Sequence, residues 1–143
     1  MRKIMLLCVI LMECALPTAH AQNADGVLGQ WVTEKGKSYV EIYKCADKYC
    51  GKISWLKEIN DPEDGQPKHD KNNPDVSKRE RPIIGLTMMW DFVYDGKEWW
   101  DNGQIYDPEN GKTYRCKMKL DGGVLMVRGY AGPFYRTTQW KKV

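Results

Sequence analysis

From residue 28 onward, apolar and polar positions alternate in short runs that end in turn residues, and this period of two predicts strands. Eight runs stand out: Leu28–Glu34, Ser38–Cys45, Cys50–Lys57, Gly85–Tyr94, Lys97–Tyr106, Lys112–Leu120, Val124–Tyr130 and Tyr135–Lys142. No run keeps a helical period over eleven residues or more. The alternation is cleanest in the sixth run. Tyr114, Cys116, Met118 and Leu120 share one face, and Thr113, Arg115, Lys117 and Lys119 share the other. The pairs Lys35-Gly36, Asp95-Gly96, Asn110-Gly111 and Asp121-Gly122 lie between runs and supply the positive φ that tight hairpins need. One apolar face per strand and short connections predict an all-β fold, an eight-stranded antiparallel up-and-down barrel. Closure buries every apolar face and removes the sheet edges.

The same turns predict registers. A two-residue turn at Asp95-Gly96 pairs Tyr94 with Lys97 and sets Phe92 opposite Trp99. A turn at Asp121-Gly122 sets Met118 opposite Leu125 and Cys116 opposite Val127. Cys45 and Cys50 flank four residues, the size of a hairpin loop. Pairing them sets Ile42 opposite Ile53 and Val40 opposite Trp55. A disulfide between Cys45 and Cys50 follows, with Cys116 left as a small buried hydrophobe.

One connection breaks the pattern. Glu58 to Pro82 carries no apolar period, and connections this long are usually functional or mobile. Its acidic half lacks the ligand spacing of a calcium loop, and His69 has no nearby His or Cys to share a metal. Arg81-Pro82 lies where the chain re-enters the sheet, a place from which a guanidinium can reach the barrel mouth and meet an anion.

The N-terminus has a different character. Arg2 and Lys3 precede the apolar run Ile4 to Met12, and Ala19-His20-Ala21 follows as an A-x-A cleavage site. Residues 1–21 therefore read as a signal peptide, and residues 22–143 as a single barrel domain, periplasmic or secreted. The apolar run is too short for a membrane span. Processing lowers Lys+Arg from 22 to 20 and Asp+Glu from 19 to 18, leaving +2. Such a balance gives no reason to expect a nucleic-acid partner. Only His69 remains among the histidines, and there is no phosphate loop, nucleophile elbow or zinc-protease motif. No cofactor or metal site is expected, and the inventory fits a binding protein better than an enzyme. Asp107-Pro108-Glu109, followed by Asn110-Gly111, reads as turn chemistry rather than a catalytic pair.

Two resemblances sharpen the picture. Gly29-Gln30-Trp31 resembles the G-x-W element of lipocalin-type barrels, where the Trp closes one end beneath an Arg from a late strand. The resemblance implies that Arg128 or Arg136 plugs the barrel over Trp31. More specifically, the chain resembles a bacterial exported family, domain of unknown function 2147, over nearly all of residues 25–143. The matching stretches are Gly29-Gln30-Trp31, Cys45-x4-Cys50-Gly51-Lys52-Ile53, and Asn73-Pro74-Asp75 followed by Arg79-Glu80-Arg81-Pro82. Gly103 to Pro108, Gly111 to Tyr114, Val127 to Tyr130 and Arg136 to Trp140 continue the match. Cys116 departs from that pattern. The resemblance implies export and a small β fold, and no activity.

Six tryptophans survive processing. Trp31 and Trp140, with Arg136, suit structural roles at the seam between first and last strands. Adjacent Trp99 and Trp100 must face opposite ways. Trp90, Trp99, Tyr106 and Tyr114 can line an apolar pocket, with Arg81 and Arg128 as cationic handles. Two functional readings stand: a carrier of a small, partly apolar ligand with an anionic head, or an envelope module that meets a protein or the cell wall through its surface.

Overall fold

Gly122 and Gly123, both at positive φ (56° and 81°), reverse the chain so tightly that Asp121 and Val124 become a pair. Two-residue turns also follow Cys45 and Ala131 in the computed structural model, which describes residues 23–143, and the other connections are longer. The expected signal peptide, residues 1–21, lies outside the described residues. The strands are β1 (Gly29–Val32), β2 (Ser38–Cys45), β3 (Lys48–Leu56), β4 (Thr87–Tyr94), β5 (Trp99–Asp107), β6 (Lys112–Asp121), β7 (Val124–Ala131) and β8 (Phe134–Lys142). Each pairs antiparallel with the next, and β8 returns to β1 through Trp31–Lys142 and Val32–Lys141. The expected up-and-down closed barrel is the observed one. Two short 3₁₀ turns, Ala24–Val27 and Val76–Lys78, complete the architecture.

The registers differ from expectation in instructive ways. Because Gly122-Gly123 forms the turn, Met118 faces Val127 and Cys116 faces Gly129, two residues away from the predicted pairing. Cys45 pairs with Lys48, and Cys50 with Tyr43, so the Cys45–Cys50 disulfide spans a diagonal, with Cα atoms 5.9 Å apart. Val40 consequently faces Ile53, and Ile42 faces Gly51. Both displacements are even, so no side chain changes face. An irregularity at Tyr39/Val40 does move Trp55. It stacks on Tyr39, with ring centroids 4.4 Å apart, and does not meet Val40.

The β4–β5 turn is longer than two residues. Asp95 accepts hydrogen bonds from the amides of Lys97, Glu98 and Trp99, an Asx-type closure that pairs Tyr94 with Trp100. Phe92 therefore does not face Trp99. Bulges absorb the odd displacement, with Asp91 and Asn102 both left-handed (φ 65° and 61°). Trp100 points inward and is fully buried, while adjacent Trp99 points out.

Phe92 and Met89, both fully buried, fill the middle of the barrel, and two glycines make room for them. A Cβ on Gly51 would crowd Met89 and Val40, and a Cβ on Gly103 would overlap the Phe92 ring. We therefore expect Gly103→Ala to lower stability by about 1–3 kcal/mol in urea unfolding, the usual cost of overpacking. Combining it with Phe92→Leu should recover part of that loss, and strict additivity would show that the ring is not what the glycine accommodates.

Candidate functional site

One end of the barrel is closed by the first 3₁₀ turn, whose unpaired carbonyls attract indole donors. Trp31 Nε1 donates to Val27 O and Trp100 Nε1 to Ala24 O, each at 2.9 Å. Tyr49 Oη donates to Asp25 Oδ1 at 2.6 Å. The cation over Trp31 is Lys142, with Nζ 4.6 Å from the ring centroid and 2.6 Å from Leu28 O. Neither arginine occupies that place. Arg136 is exposed and reaches Glu34 at 3.8 Å, and Arg128 Nε donates to Thr137 Oγ1 at 2.9 Å. Trp140 is buried at the seam, its indole donating to Thr138 Oγ1.

The long connection is held at a second place. Asp70 is fully buried. Its Oδ1 accepts from Tyr106 Oη at 2.6 Å, and its Oδ2 accepts from Asn73 Nδ2 at 2.8 Å and Arg81 Nη2 at 3.0 Å. The Asp70 amide donates in turn to the Arg81 carbonyl. Asn72 donates to the carbonyls of Pro108 and Glu109, tying the connection to the β5–β6 hairpin. Arg81 is thus the partner of a buried carboxylate, and Tyr106 a donor to it.

Burial pushes the Tyr106 phenol up to about 12, helped by the Asp70 carboxylate, and burial does the same for Tyr49 beside Asp25. Raised folded values mean stability that is complete below the ordinary phenol value and lost as pH rises towards the folded one. We expect the melting temperature to fall between about pH 10 and 12, with two tyrosines ionising late in a spectrophotometric titration. If all phenols titrated together near pH 10, these two hydrogen bonds would be absent in solution.

The six expected ligand-lining residues do not meet in one pocket: they fall into two separate pairs and two isolated positions. Trp90 is half-buried and packs against the core, and Tyr114 Oη accepts from Asn110 Nδ2 at 3.0 Å. Tyr106 and Arg81 belong to the Asp70 clasp, and Trp99 and Arg128 lie outside the barrel. Two depressions lie elsewhere, both open to solvent on one side. One, of about 400 Å³, follows the long connection beside Lys68, His69 and Glu80. The His69 Nδ1 lies 2.7 Å from Arg79 O, so that ring is engaged by the loop backbone.

The other depression, about 300 Å³, opens where the Asn102 bulge parts β5 from β6, and Arg115, Gln104 and Tyr130 line it. It borders a face on which cations surround aromatic rings. Trp99 has Lys117 Nζ 4.0 Å, Lys119 Nζ 4.9 Å and the Arg128 guanidinium carbon 5.4 Å from its centroid. Arg128 also lies 4.6 Å from Tyr135, and Arg115 lies 5.3 Å from Tyr130. Tyr130 and Tyr135 are themselves 5.9 Å apart. The β6 alternation positions this cluster, because the positions between inward Cys116 and Met118 must face out.

Residues 29–142 match DUF2147, described as an uncharacterised protein conserved in bacteria. The chain belongs to that family. A solved structure similar to it is a protein from the human pathogen Helicobacter pylori described as belonging to the lipocalin family. It is 25% identical, with a TM-score of 0.68 and 82% of each chain covered. No curated protein matches.

Within this DUF2147 barrel, Cys116 is buried and reduced, and burial pushes its thiol up to about 12. So enclosed, its side chain packs as a small hydrophobe at the floor of the β5–β6 depression. Two residues central to the architecture carry no clear mark in the sequence. Asp70 sits in a hydrophilic run among lysines, and Lys142 near the chain end reads as a solvated charge. For Lys117 and Lys119 the signal was the strict β6 alternation.

Proposed function

We propose that this protein is an exported cell-envelope binding module that works through the outer wall over β5–β8 rather than by carrying a ligand inside. The observation that carries this reading is the set of Arg115, Lys117, Lys119 and Arg128 beside Trp99, Tyr130 and Tyr135. Export is supported by the basic-then-apolar N-terminus with its A-x-A site, and by a disulfide of the kind that persists in the periplasm or outside the cell. A second reading, the small-ligand carrier, draws support from the similarity to a lipocalin-family structure. It loses the anion-binding handle assigned to Arg81, whose guanidinium meets Asp70, and the space that Phe92 occupies.

Fractionation of cells that make the protein separates the two. The native protein should sediment with the envelope, and Lys117→Glu/Lys119→Glu should move it to the soluble fraction with unchanged melting. Native mass spectrometry should show the bare chain mass. A small apolar ligand retained at one per chain, with envelope association indifferent to the two lysines, would return the carrier reading.

A further inference from the structure

We infer that the partner of the β5–β8 face is the surface of an anionic lipid bilayer, held peripherally by basic side chains and by an apolar hairpin tip. The inference rests on the outer-face reading above and names its occupant. With a processed charge of only +2, the chain is not generally basic, yet Arg115, Lys117 and Lys119 stand at alternate positions of β6. Such positions are about 6.8 Å apart along a strand, which makes a row of charge rather than a pocket. Arg128 extends the row sideways, directly opposite Lys117 on β7. Among the described residues none of these four forms an ion pair with a carboxylate, whereas Lys37, Lys44, Lys48, Lys52, Lys68 and Lys71 all do. Asp101 is the acidic side chain that lines the neighbouring cleft, and Asp121 ends β6 two positions beyond Lys119.

Charge alone suits any polyanion, and the β7–β8 hairpin makes the distinction. It turns through Gly132 and Pro133, and the next two residues are strongly exposed, Phe134 at 76% and Tyr135 at 61%. Tyr135 faces Tyr130 across the hairpin and Arg128 beside it, which joins this end of the hairpin to the basic row, while Phe134, the preceding residue of β8, projects from the other face of the same exposed tip. A soluble polyanion offers Phe134 nothing to bury in. A bilayer offers anionic head groups to the cations, an interfacial layer to the amphipathic Trp and Tyr rings, and hydrocarbon to the Phe ring. No described helix is long and apolar enough to cross a membrane, and reversible adsorption through this face needs none.

The test is co-sedimentation of the purified protein with vesicles of phosphatidylcholine alone, and with about a third of the lipid replaced by phosphatidylglycerol. Binding is expected only to the anionic vesicles, and should be reversed by salt. Lys117→Gln/Lys119→Gln should lower the partition coefficient about thirtyfold, at roughly fivefold for each cation near an anionic surface. Phe134→Ser should lower it about tenfold, as partial burial of one aromatic side chain implies, and should leave the salt dependence unchanged. Both variants should melt as the native protein does. No partition onto anionic vesicles at low salt would overturn the inference, as would partition that Phe134→Ser leaves intact. If the protein ignores vesicles but binds dextran sulfate through the same lysines, a soluble polyanion is the partner. The membrane inference then falls and the outer-face reading stands. If the lysine variants alter neither vesicle binding nor envelope association, both fall.

Discussion

Replacing Trp31 by alanine should destabilise the barrel by about 3–5 kcal/mol in urea unfolding, a large share of what a small domain possesses. Three losses coincide at this side chain. The indole is almost wholly buried, so its removal leaves a cavity beneath the first 3₁₀ turn. Its Nε1 bond to the Val27 carbonyl disappears. The Lys142 ammonium loses the ring it lies over, although it keeps the Leu28 carbonyl. Trp31→Phe separates these contributions, since it retains most of the apolar area and gives up the hydrogen bond. That variant should cost about 1–2 kcal/mol more than a volume-conserving change alone. A Trp31→Ala protein with native melting would mean that the turn and not the indole closes this end.

The route from sequence to structure was unequal along the chain. The bounds of β2, Ser38 to Cys45, are legible to the residue because a turn signal lies before Ser38 and Val40 and Ile42 mark its inward face. The faces of β6 were also legible, and from them the buried Cys116 and the outward Lys117 and Lys119. Hairpin register was not. The choice between Asp121-Gly122 and Gly122-Gly123 as the turn depends on which residues adopt positive φ, and both pairs carry the same composition signal. The Cys45–Cys50 bond was anticipated while its register was not, because a disulfide tolerates a diagonal as well as a direct pair. The bulge at Asp91 leaves only a blurred alternation, with Met89 and Val93 on the face of Thr87 and Asp91.

The site was harder to read for a related reason. Arg81 stood out as a charge at the end of a long connection, but nothing local marks Asp70, eleven positions earlier, as its partner. Lys142 carries no mark, because a lysine with a buried stem and a lysine in solvent look alike in sequence. What the fold adds is convergence. It brings Trp99 from β5, three cations from β6 and β7, and Tyr135 from β8 onto one wall, which no spacing along the chain could announce.

Asp70→Ala should be the most damaging single change in the long connection, at about 2–5 kcal/mol. Its carboxylate has no solvent contact and accepts three hydrogen bonds, from Tyr106, Asn73 and Arg81. Removing it strands the Tyr106 hydroxyl and the Asn73 amide, both in buried residues, and each orphaned donor costs about 1–3 kcal/mol. The Arg81 side chain is 45% exposed, so its guanidinium can return to water. Arg81→Ala should therefore cost far less, about 1 kcal/mol, as a half-exposed pair implies. Asp70→Asn keeps the shape and one acceptor, yet it must turn an NH₂ towards donors on one side. It should fall between the two. Limited proteolysis adds a local readout, because cleavage within residues 58–82 should accelerate in Asp70→Ala and stay near the native rate in Arg81→Ala. Equal costs for these two variants would show that the loop is anchored by the Asn72 bonds to Pro108 and Glu109 instead, and that the buried carboxylate is a passenger.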